Sequence, residues 1–250
     1  MNLIDFFDAG VTNHPDAPCF VDCGRDAPIA TYAQAGALTC QIARGLRALG
    51  LEPGFHGAVL SGNAGVAFTA LLAVLRAEGV WLPVNARNSV DTNIEFLQDM
   101  DCDVLFYQAY YADQIAEIRS KVPRIRHYIA LDESNGSNLS VDKLILGHPT
   151  EMFSPPLQPQ ALAMIMGTGG TTGRSKGVML SHRNLTMTMA NHMSAMHLTD
   201  CMTVLAAAPI THTAGLVSMP FMGRGGRVVL MDGINPQNLL KVIEQEQVNM

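Results

Sequence analysis

Short apolar runs alternate with segments of helical periodicity along the first half of the chain, and this alternation constrains the fold more than any other feature. Strands are predicted at residues 58–60, 80–83, 104–107 and 128–131. Apolar side chains at helical spacing predict the helices around them. These are Leu38, Ile42, Leu46 and Leu49; Phe68, Leu71, Leu72 and Leu75; Val90, Ile94 and Leu97; and Ile115 and Ile118. Strands that alternate with helices of this length form parallel sheets with right-handed crossovers. The predicted fold class is α/β, with mostly parallel sheets flanked by helices.

The second half of the chain continues the same pattern after a proline-rich segment. Strands are predicted at residues 161–166, 178–180, 203–206 and 228–231, and a helix is predicted to begin at Asn235 and Pro236. Residues 154–160 contain three prolines and no charge, which is typical of a connection between structural units. We therefore expect a first α/β subdomain at residues 1–153 and the start of a second at 154–250.

Composition excludes several classes of protein. Of the 250 residues 48% are hydrophobic and 15% are charged, which is typical of a folded chain with a large core. The net charge of −6 argues against a nucleic-acid-binding protein, because such proteins present a basic face. No apolar run is long enough to span a bilayer, and the amino terminus lacks the basic segment of a signal peptide. The five cysteines are scattered and odd in number, which favours free thiols in the cytoplasm over disulfides or zinc.

Residues 167–177 form the most informative segment for function. They read Gly-Thr-Gly-Gly-Thr-Thr-Gly-Arg-Ser-Lys-Gly, without one apolar side chain. Glycine lets backbone N–H groups approach a ligand closely, and hydroxyl and cationic groups supply further donors to an anion. No Asp or Glu occurs in residues 152–199, although the whole chain is acidic. This acid-free segment is predicted to bind phosphate.

Spacing separates this segment from the common phosphate-binding motifs. A Walker A loop needs lysine directly after its last glycine, whereas Lys176 comes three positions after Gly173. The dinucleotide pattern G-x-G-x-x-G fails because its sixth position is Thr172. A flexible surface linker is the alternative for a Gly/Ser/Thr run. The apolar runs on both sides, each a predicted strand, favour a ligand-binding loop instead.

Residues 168–177 resemble the phosphate-loop signature of the adenylate-forming enzymes, the superfamily of acyl-CoA synthetases, luciferases and peptide-synthetase adenylation domains. That signature usually reads T-S-G-T-T-G-x-P-K-G, and this chain has Gly169 for the serine and Ser175 for the proline. Both exchanges enlarge the loop's conformational freedom. The likeness extends over the whole chain, with two further departures: Phe55 stands where the family usually has Asp, and residues 77–79 read Ala-Glu-Gly for Ala-Gly-Ala. We expect these two departures to affect stability more than chemistry.

The resemblance implies a site for ATP. In the family this loop folds over the β- and γ-phosphates, and its threonines and lysine stabilise the departing pyrophosphate. Lys176 and Thr172 are thus the implied catalytic residues, with Thr172 also the implied Mg²⁺ ligand, while a contact from Arg174 is left open. The implied ATP-binding residues are Thr168, Gly169, Gly170, Thr171, Thr172, Gly173 and Lys176. Coenzyme A is implied as the second substrate.

Four histidines in the second half of the chain are candidates for functional residues. His212 lies in residues 209–215, which resemble the family's P-x-x-H-x-x-G motif, whose histidine lies beside the carboxylate and acyl pocket. The resemblance adds His212 to the implied catalytic residues, although a lone histidine after a strand is more often structural. His182, at the start of a predicted helix after the cap Ser181, is predicted to be structural. His192 and His197 do not share a helical face and are not expected to be ligands.

The resemblance predicts the N-terminal portion of an ATP-dependent acyl-CoA or aryl-CoA synthetase that acts on a fatty or aromatic carboxylic acid. Family members continue through an adenine-binding Thr-Glu motif, a ribose-binding Asp and a domain with a catalytic lysine. We therefore expect the 250 residues alone to be inactive and to expose apolar surface that favours a homo-oligomer. A noncatalytic nucleotide- or acyl-binding fragment is one alternative. A peptide-synthetase adenylation domain is another, disfavoured because such domains usually carry an Asp-containing pattern at His212.

Overall fold

A computed structural model describes residues 1–23, 30–132, 139–156, 158–168, 176–196, 198–233 and 235–250. Within these ranges the strands are β1 (Pro18–Asp22), β2 (Ala30–Thr31), β3 (His56–Leu60), β4 (Val80–Leu82), β5 (Val104–Tyr107), β6 (His127–Ala130), β7 (Leu139–Ser140), β8 (Leu162–Thr168), β9 (Lys176–Ser181), β10 (Thr203–Ala206) and β11 (Arg227–Leu230). The helices are α1 (Asp5–Asn13), α2 (Tyr32–Ala48), α3 (Gly65–Arg76), α4 (Val90–Asp99), α5 (Ala112–Lys121), α6 (Val141–Leu144), α7 (His182–Ala195), α8 (Thr213–Met222) and α9 (Pro236–Gln245).

The strands form two sheets, and most neighbouring strands are parallel. One sheet has seven strands in the order β7-β6-β5-β3-β4-β8-β9, and the other has four in the order β10-β11-β1-β2. The antiparallel pairs are β8 with β9 and β1 with β2. The predicted α/β class with mostly parallel sheets is confirmed, because helices cross between the parallel strands as the alternating pattern requires.

Helix α3 is the central element, since it lies between the two sheets. Every residue of α3 except Val66 is buried. It contacts β3, β4 and β5 of the seven-stranded sheet and β1 of the four-stranded sheet. A helix that is apolar all round cannot face water, so its sequence, GVAFTALLAVLR, matches this position. The core therefore continues from one sheet to the other and holds both at fixed positions around α3.

Both sheets take strands from each side of residue 153. β1 from the first half pairs with β11, and β8 from the second half pairs with β4. The division into subdomains 1–153 and 154–250 stays a prediction, but the hydrogen-bond ladders cross it twice.

Helix α8 and strand β1 were not predicted from the sequence, and their sequences show why. Helix α8 contains Pro220 and is buried on most sides, so it shows no amphipathic period. Strand β1 has five residues, and it begins with a proline and ends with an aspartate, so its apolar run is too short to stand out. Among the described residues, no helix is long and apolar enough to cross a membrane.

Candidate functional site

The phosphate-loop segment is framed by a β-hairpin. β8 and β9 pair antiparallel, with Gly167 opposite Gly177 and Thr168 opposite Lys176. The predicted eleven-residue loop was wrong at its ends, because these four residues continue the strand ladder. Their backbone groups bond across the hairpin, which is more stable than a solvated loop. The other predicted ATP ligands, Gly169, Gly170, Thr171, Thr172 and Gly173, lie outside the described residues, as do Arg174 and Ser175.

At the end of the ladder next to residues 169–175, the hairpin presents one hydroxyl and one ammonium group. The Thr168 hydroxyl donates a hydrogen bond to the Lys176 carbonyl oxygen at 3.2 Å, and both residues are exposed. The Lys176 ammonium makes no hydrogen bond or ion pair with any residue that the structure describes. Behind it, a Cβ at Gly177 would lie 2.5 Å from Met100 Sδ and 2.7 Å from Ile165 Cγ2. The hairpin base is thus packed tightly while the Lys176 head remains available to a ligand.

His182 has a structural role, as predicted. Its Nδ1 accepts a hydrogen bond from the Leu3 backbone N–H at 3.0 Å, and the side chain is buried at the start of α7. Burial lowers the pKa of His182 below its ordinary value. Ser181 and Asn184 form a capping box in front of it, so the helix start is fixed by local hydrogen bonds.

His212 lies at the start of α8, on a segment that leaves the carboxyl end of β10. Its Nδ1 lies 2.9 Å from Thr213 Oγ1, its backbone N–H donates to Pro209 O, and its side chain is half-buried. Burial lowers the pKa of His212, so the ring is neutral near pH 7. Gly215 is the last residue of the P-x-x-H-x-x-G motif. A larger residue does not fit there, because a Cβ would lie 2.2 Å from Ile210 O.

A cavity of about 220 Å³ brings the hairpin and His212 together. Gly167 and Thr168 line one part of it and His212 lines another. The remaining lining residues follow β4 or lie on α4: Pro83, Asn85, Asn88, Thr92, Asn93 and Phe96. The cavity therefore lies outside the carboxyl ends of β4, β8 and β10, which is where open α/β sheets bind ligands.

Sequence reasoning missed the asparagines of this cavity. Asn93 Nδ2 donates to Asn85 O at 3.1 Å, and Asn88 Nδ2 donates to Asn93 Oδ1 at 3.4 Å. Their only signal in the sequence was their position directly after the predicted strand at 80–83, at a strand-to-helix exit. They supply amide donors and acceptors rather than charge, so the described part of the wall suits a polar, uncharged portion of a ligand.

A second cavity of about 230 Å³ lies at the opposite edge of the seven-stranded sheet. It is lined by the first residues of three strands, His56, Val80 and Leu162, and by His182. Because these are amino-terminal ends, this cavity is remote from Thr168 and His212. We place the candidate site at the cavity that contains the predicted residues.

No metal-binding cluster of three or more His, Cys, Asp or Glu side chains occurs among the described residues. Mg²⁺ prefers oxygen ligands and is commonly held by one or two protein groups together with substrate phosphates. The Thr168 hydroxyl, on a segment (residues 152–199) that contains no Asp or Glu, fits that second arrangement.

Comparison with known protein sequences gives one family. A family model described as AMP-binding enzyme matches residues 7–250. The chain is 31% identical over 226 residues to feruloyl-CoA synthase from an Amycolatopsis species, covering 88% of this chain and 42% of that protein. It is 26% identical over 223 residues to indoleacetate–CoA ligase from Aromatoleum aromaticum, covering 88% of this chain and 44% of that protein. The chain thus spans less than half the length of either relative.

The solved structures agree on the fold. The inhibitor-bound N-terminal domain of FACL13 from Mycobacterium tuberculosis superposes with a TM-score of 0.88 at 23% identity, over 99% of this chain and 61% of that one. Identity this low establishes the architecture alone. The family match over nearly the whole chain shows that this protein belongs to the AMP-binding enzyme family. The two relatives named above are CoA ligases of that kind, and the shared architecture agrees with this assignment.

Proposed function

We propose that the chain is the phosphate- and acid-binding part of an ATP-dependent acid–CoA ligase. The observation that carries this proposal is the cavity shared by Thr168 of the hairpin and His212 of the β10–α8 connection. In the proposed reaction a carboxylate oxygen bonds to the α-phosphorus of ATP as the bond to pyrophosphate breaks. The thiol of coenzyme A then forms a thioester with the acyl group and releases AMP.

The hairpin supplies the groups for the first step. Lys176 offers an ammonium group to the phosphates, the Thr168 hydroxyl can donate to them by turning away from the Lys176 carbonyl oxygen, and the threonines of residues 169–175 would add further donors. Charge develops on the departing pyrophosphate, and donors fixed in advance at such a position lower the barrier. Mg²⁺ bound with the nucleotide would neutralise part of that charge, with Thr172 as the proposed protein ligand.

His212 is proposed to orient the acid. A neutral imidazole beside the cavity can donate one hydrogen bond to the carboxylate of the acid. Such a bond binds the carboxylate less tightly than an ion pair does. A fatty or aromatic acid is the proposed substrate class, because the relatives named above act on feruloyl and indoleacetate groups. His212 also favours a CoA ligase over a peptide-synthetase adenylation domain.

The cellular setting that we propose for the chain is the cytoplasm. All five cysteines are free thiols in the structure, which suits a reducing cytoplasm. Activity of the 250 residues alone is not expected, so the test below measures binding by this chain.

The proposal is tested by removing the Lys176 ammonium. Lys176→Ala should weaken binding of Mg²⁺-tripolyphosphate by about 10- to 150-fold, since a hydrogen bond to a charged group contributes about 1.5–3 kcal/mol. Titration calorimetry on the purified chain measures this affinity. The free energy of unfolding should change by less than about 0.5 kcal/mol, because Lys176 is exposed.

Lys241→Ala is the matched control, because Lys241 is also exposed but lies on α9. It removes the same charge without touching the hairpin, so tripolyphosphate affinity should be nearly unchanged. Equal loss in both variants would reduce the effect to net charge and refute the phosphate role of Lys176. In a complete ligase containing these residues, unchanged pyrophosphate exchange in Lys176→Ala would refute its catalytic role.

A further inference from the structure

Asn63 joins the two sheets at their carboxyl ends. It follows β3 closely and only 4% of its surface is exposed. Its Nδ2 lies 2.9 Å from each of three backbone carbonyl oxygens, those of Ala206, Ala208 and Met231. Its Oδ1 accepts the backbone N–H of Ile210, also at 2.9 Å. One side chain from the seven-stranded sheet thereby holds the ends of β10 and β11 and the segment that leads to His212.

Other groups hold the same segment from the same side. The Trp81 indole N–H donates to Thr211 O at 3.2 Å, and the Thr211 hydroxyl donates to Val84 O at 2.6 Å. Arg87 Nη2 donates to Ala207 O at 3.3 Å. Residues 206–211 therefore bond to the ends of β3 and β4 at nearly every position, and His212 follows directly.

Only an amide of this size can make all of the Asn63 contacts. An aspartate would place a negative oxygen against three carbonyl oxygens. An apolar side chain would leave those carbonyls and the Ile210 N–H buried without their partner, and unpaired buried groups of this kind are costly. Asn63 is not among the residues that line the 220 Å³ cavity. Its contacts are those of a residue that acts through the backbone of another.

We propose that Asn63 is a positioning residue that fixes residues 206–211 and thereby sets the His212 ring at the cavity. That His212 acts on the acid rests on the function proposed above, whereas the mechanical coupling of Asn63 to His212 does not. The amide oxygen and the amide nitrogen of Asn63 both have hydrogen-bond partners. Buried polar groups that are satisfied in this way favour one conformation of the chain.

The test is an NMR titration of the His212 ring in Asn63→Ala, with the resonance assigned by its loss in His212→Gln. In the unaltered chain His212 should titrate below the ordinary histidine value of about 6.5. Releasing residues 206–211 should hydrate the ring, so its pKa should rise toward about 6.5 in the folded variant. Hydrogen exchange at the Ile210 amide, the donor to Asn63, should quicken at least tenfold relative to amides of α2.

Leu46→Ala is the control, because Leu46 is fully buried on α2 and its truncation destabilises the fold without altering the Asn63 network. It should leave the His212 pKa unchanged. If Asn63→Ala is too unstable to titrate, Asn63→Ser, which keeps a single hydroxyl donor, carries the test. An unchanged His212 pKa in a folded Asn63 variant, or an equal shift in Leu46→Ala, overturns the proposal. Neither result depends on tripolyphosphate binding, so failure of the proposed function is seen separately.

Discussion

His182 and His212 show how the same residue type acquires different roles from its surroundings. Both follow a strand and begin a helix. The Nδ1 of His182 accepts a hydrogen bond from the Leu3 backbone, far away in sequence, whereas the partner of His212 Nδ1 in the described part of the chain is the adjacent Thr213 hydroxyl. His182 is therefore tied to the amino terminus of the chain, and His212 is left at the cavity. No spacing pattern in the sequence distinguishes these two environments.

The buried histidines make a prediction about stability and pH. The pKa of His182 is lowered by burial, so between its folded value and about 6.5 the unfolded chain binds a proton that the folded chain does not. The free energy of unfolding should therefore fall as the pH drops from 7 to 5. In His182→Asn, whose amide oxygen can still accept from Leu3 N–H, the fall should be smaller. Urea unfolding at a series of pH values measures it.

The free energy of unfolding of His182→Asn should still depend on pH to some extent, because burial also lowers the pKa of His127 and His212. A pH profile of His182→Asn identical to that of the unaltered chain would contradict the assignment of His182 as a buried neutral group.

At the scale of elements, two departures from the family pattern turn out to be one contact. Phe55 precedes β3 and is buried, and Gly79 precedes β4. A Cβ at Gly79 would lie 2.5 Å from Phe55 Cζ, so the ring occupies the space that a side chain at 79 would need. Glu78 beside it has a positive φ of 59°. The sequence analysis expected a structural role for both positions, but only their packing shows that they depend on each other.

The capping box of α7 gives a prediction at the same scale. Ser181 Oγ accepts the Asn184 N–H at 3.2 Å, so Ser181→Ala should lower the free energy of unfolding by about 0.5–2 kcal/mol. Thr188→Ala, an exposed change later in the same helix, should be nearly neutral or slightly stabilising because alanine has the higher helix propensity. Urea unfolding of both variants measures these changes in the free energy of unfolding. Equal destabilisation would mean that the cap contributes nothing beyond helix propensity.

At the scale of the whole molecule, the two sheets depend on each other. The order β10-β11-β1-β2 places β1 between β2 and β11, so residues 20–22 pair with residues 228–230. α3 packs against strands of both sheets, and each of those sheets takes strands from both sides of residue 153.

This arrangement predicts that residues 1–153 do not fold cooperatively when expressed alone. β1 would lose β11, and β4 would lose β8 and become an exposed parallel edge. Near-ultraviolet circular dichroism and urea unfolding should show no cooperative transition, in contrast to the 250-residue chain. A sharp transition in the shorter piece would contradict this prediction and support an autonomous subdomain ending at residue 153.

The sequence by itself determined the local elements and the family. Periodicity located α2, α3, β3, β5 and β6, because burial of one face imposes a spacing that neighbouring residues reveal. The phosphate segment was predicted from its composition and its resemblance to a family signature, and the role of His212 from its resemblance to a second family motif; both roles stay predictions. The tertiary structure alone decided that β1 pairs with β11, that Gly167, Thr168, Lys176 and Gly177 belong to strands, and that Asn63 holds the His212 segment. Those outcomes depend on contacts between residues more than a hundred positions apart, or on ladders whose partners local spacing does not identify, and the free energy of such contacts exists only once the chain is folded.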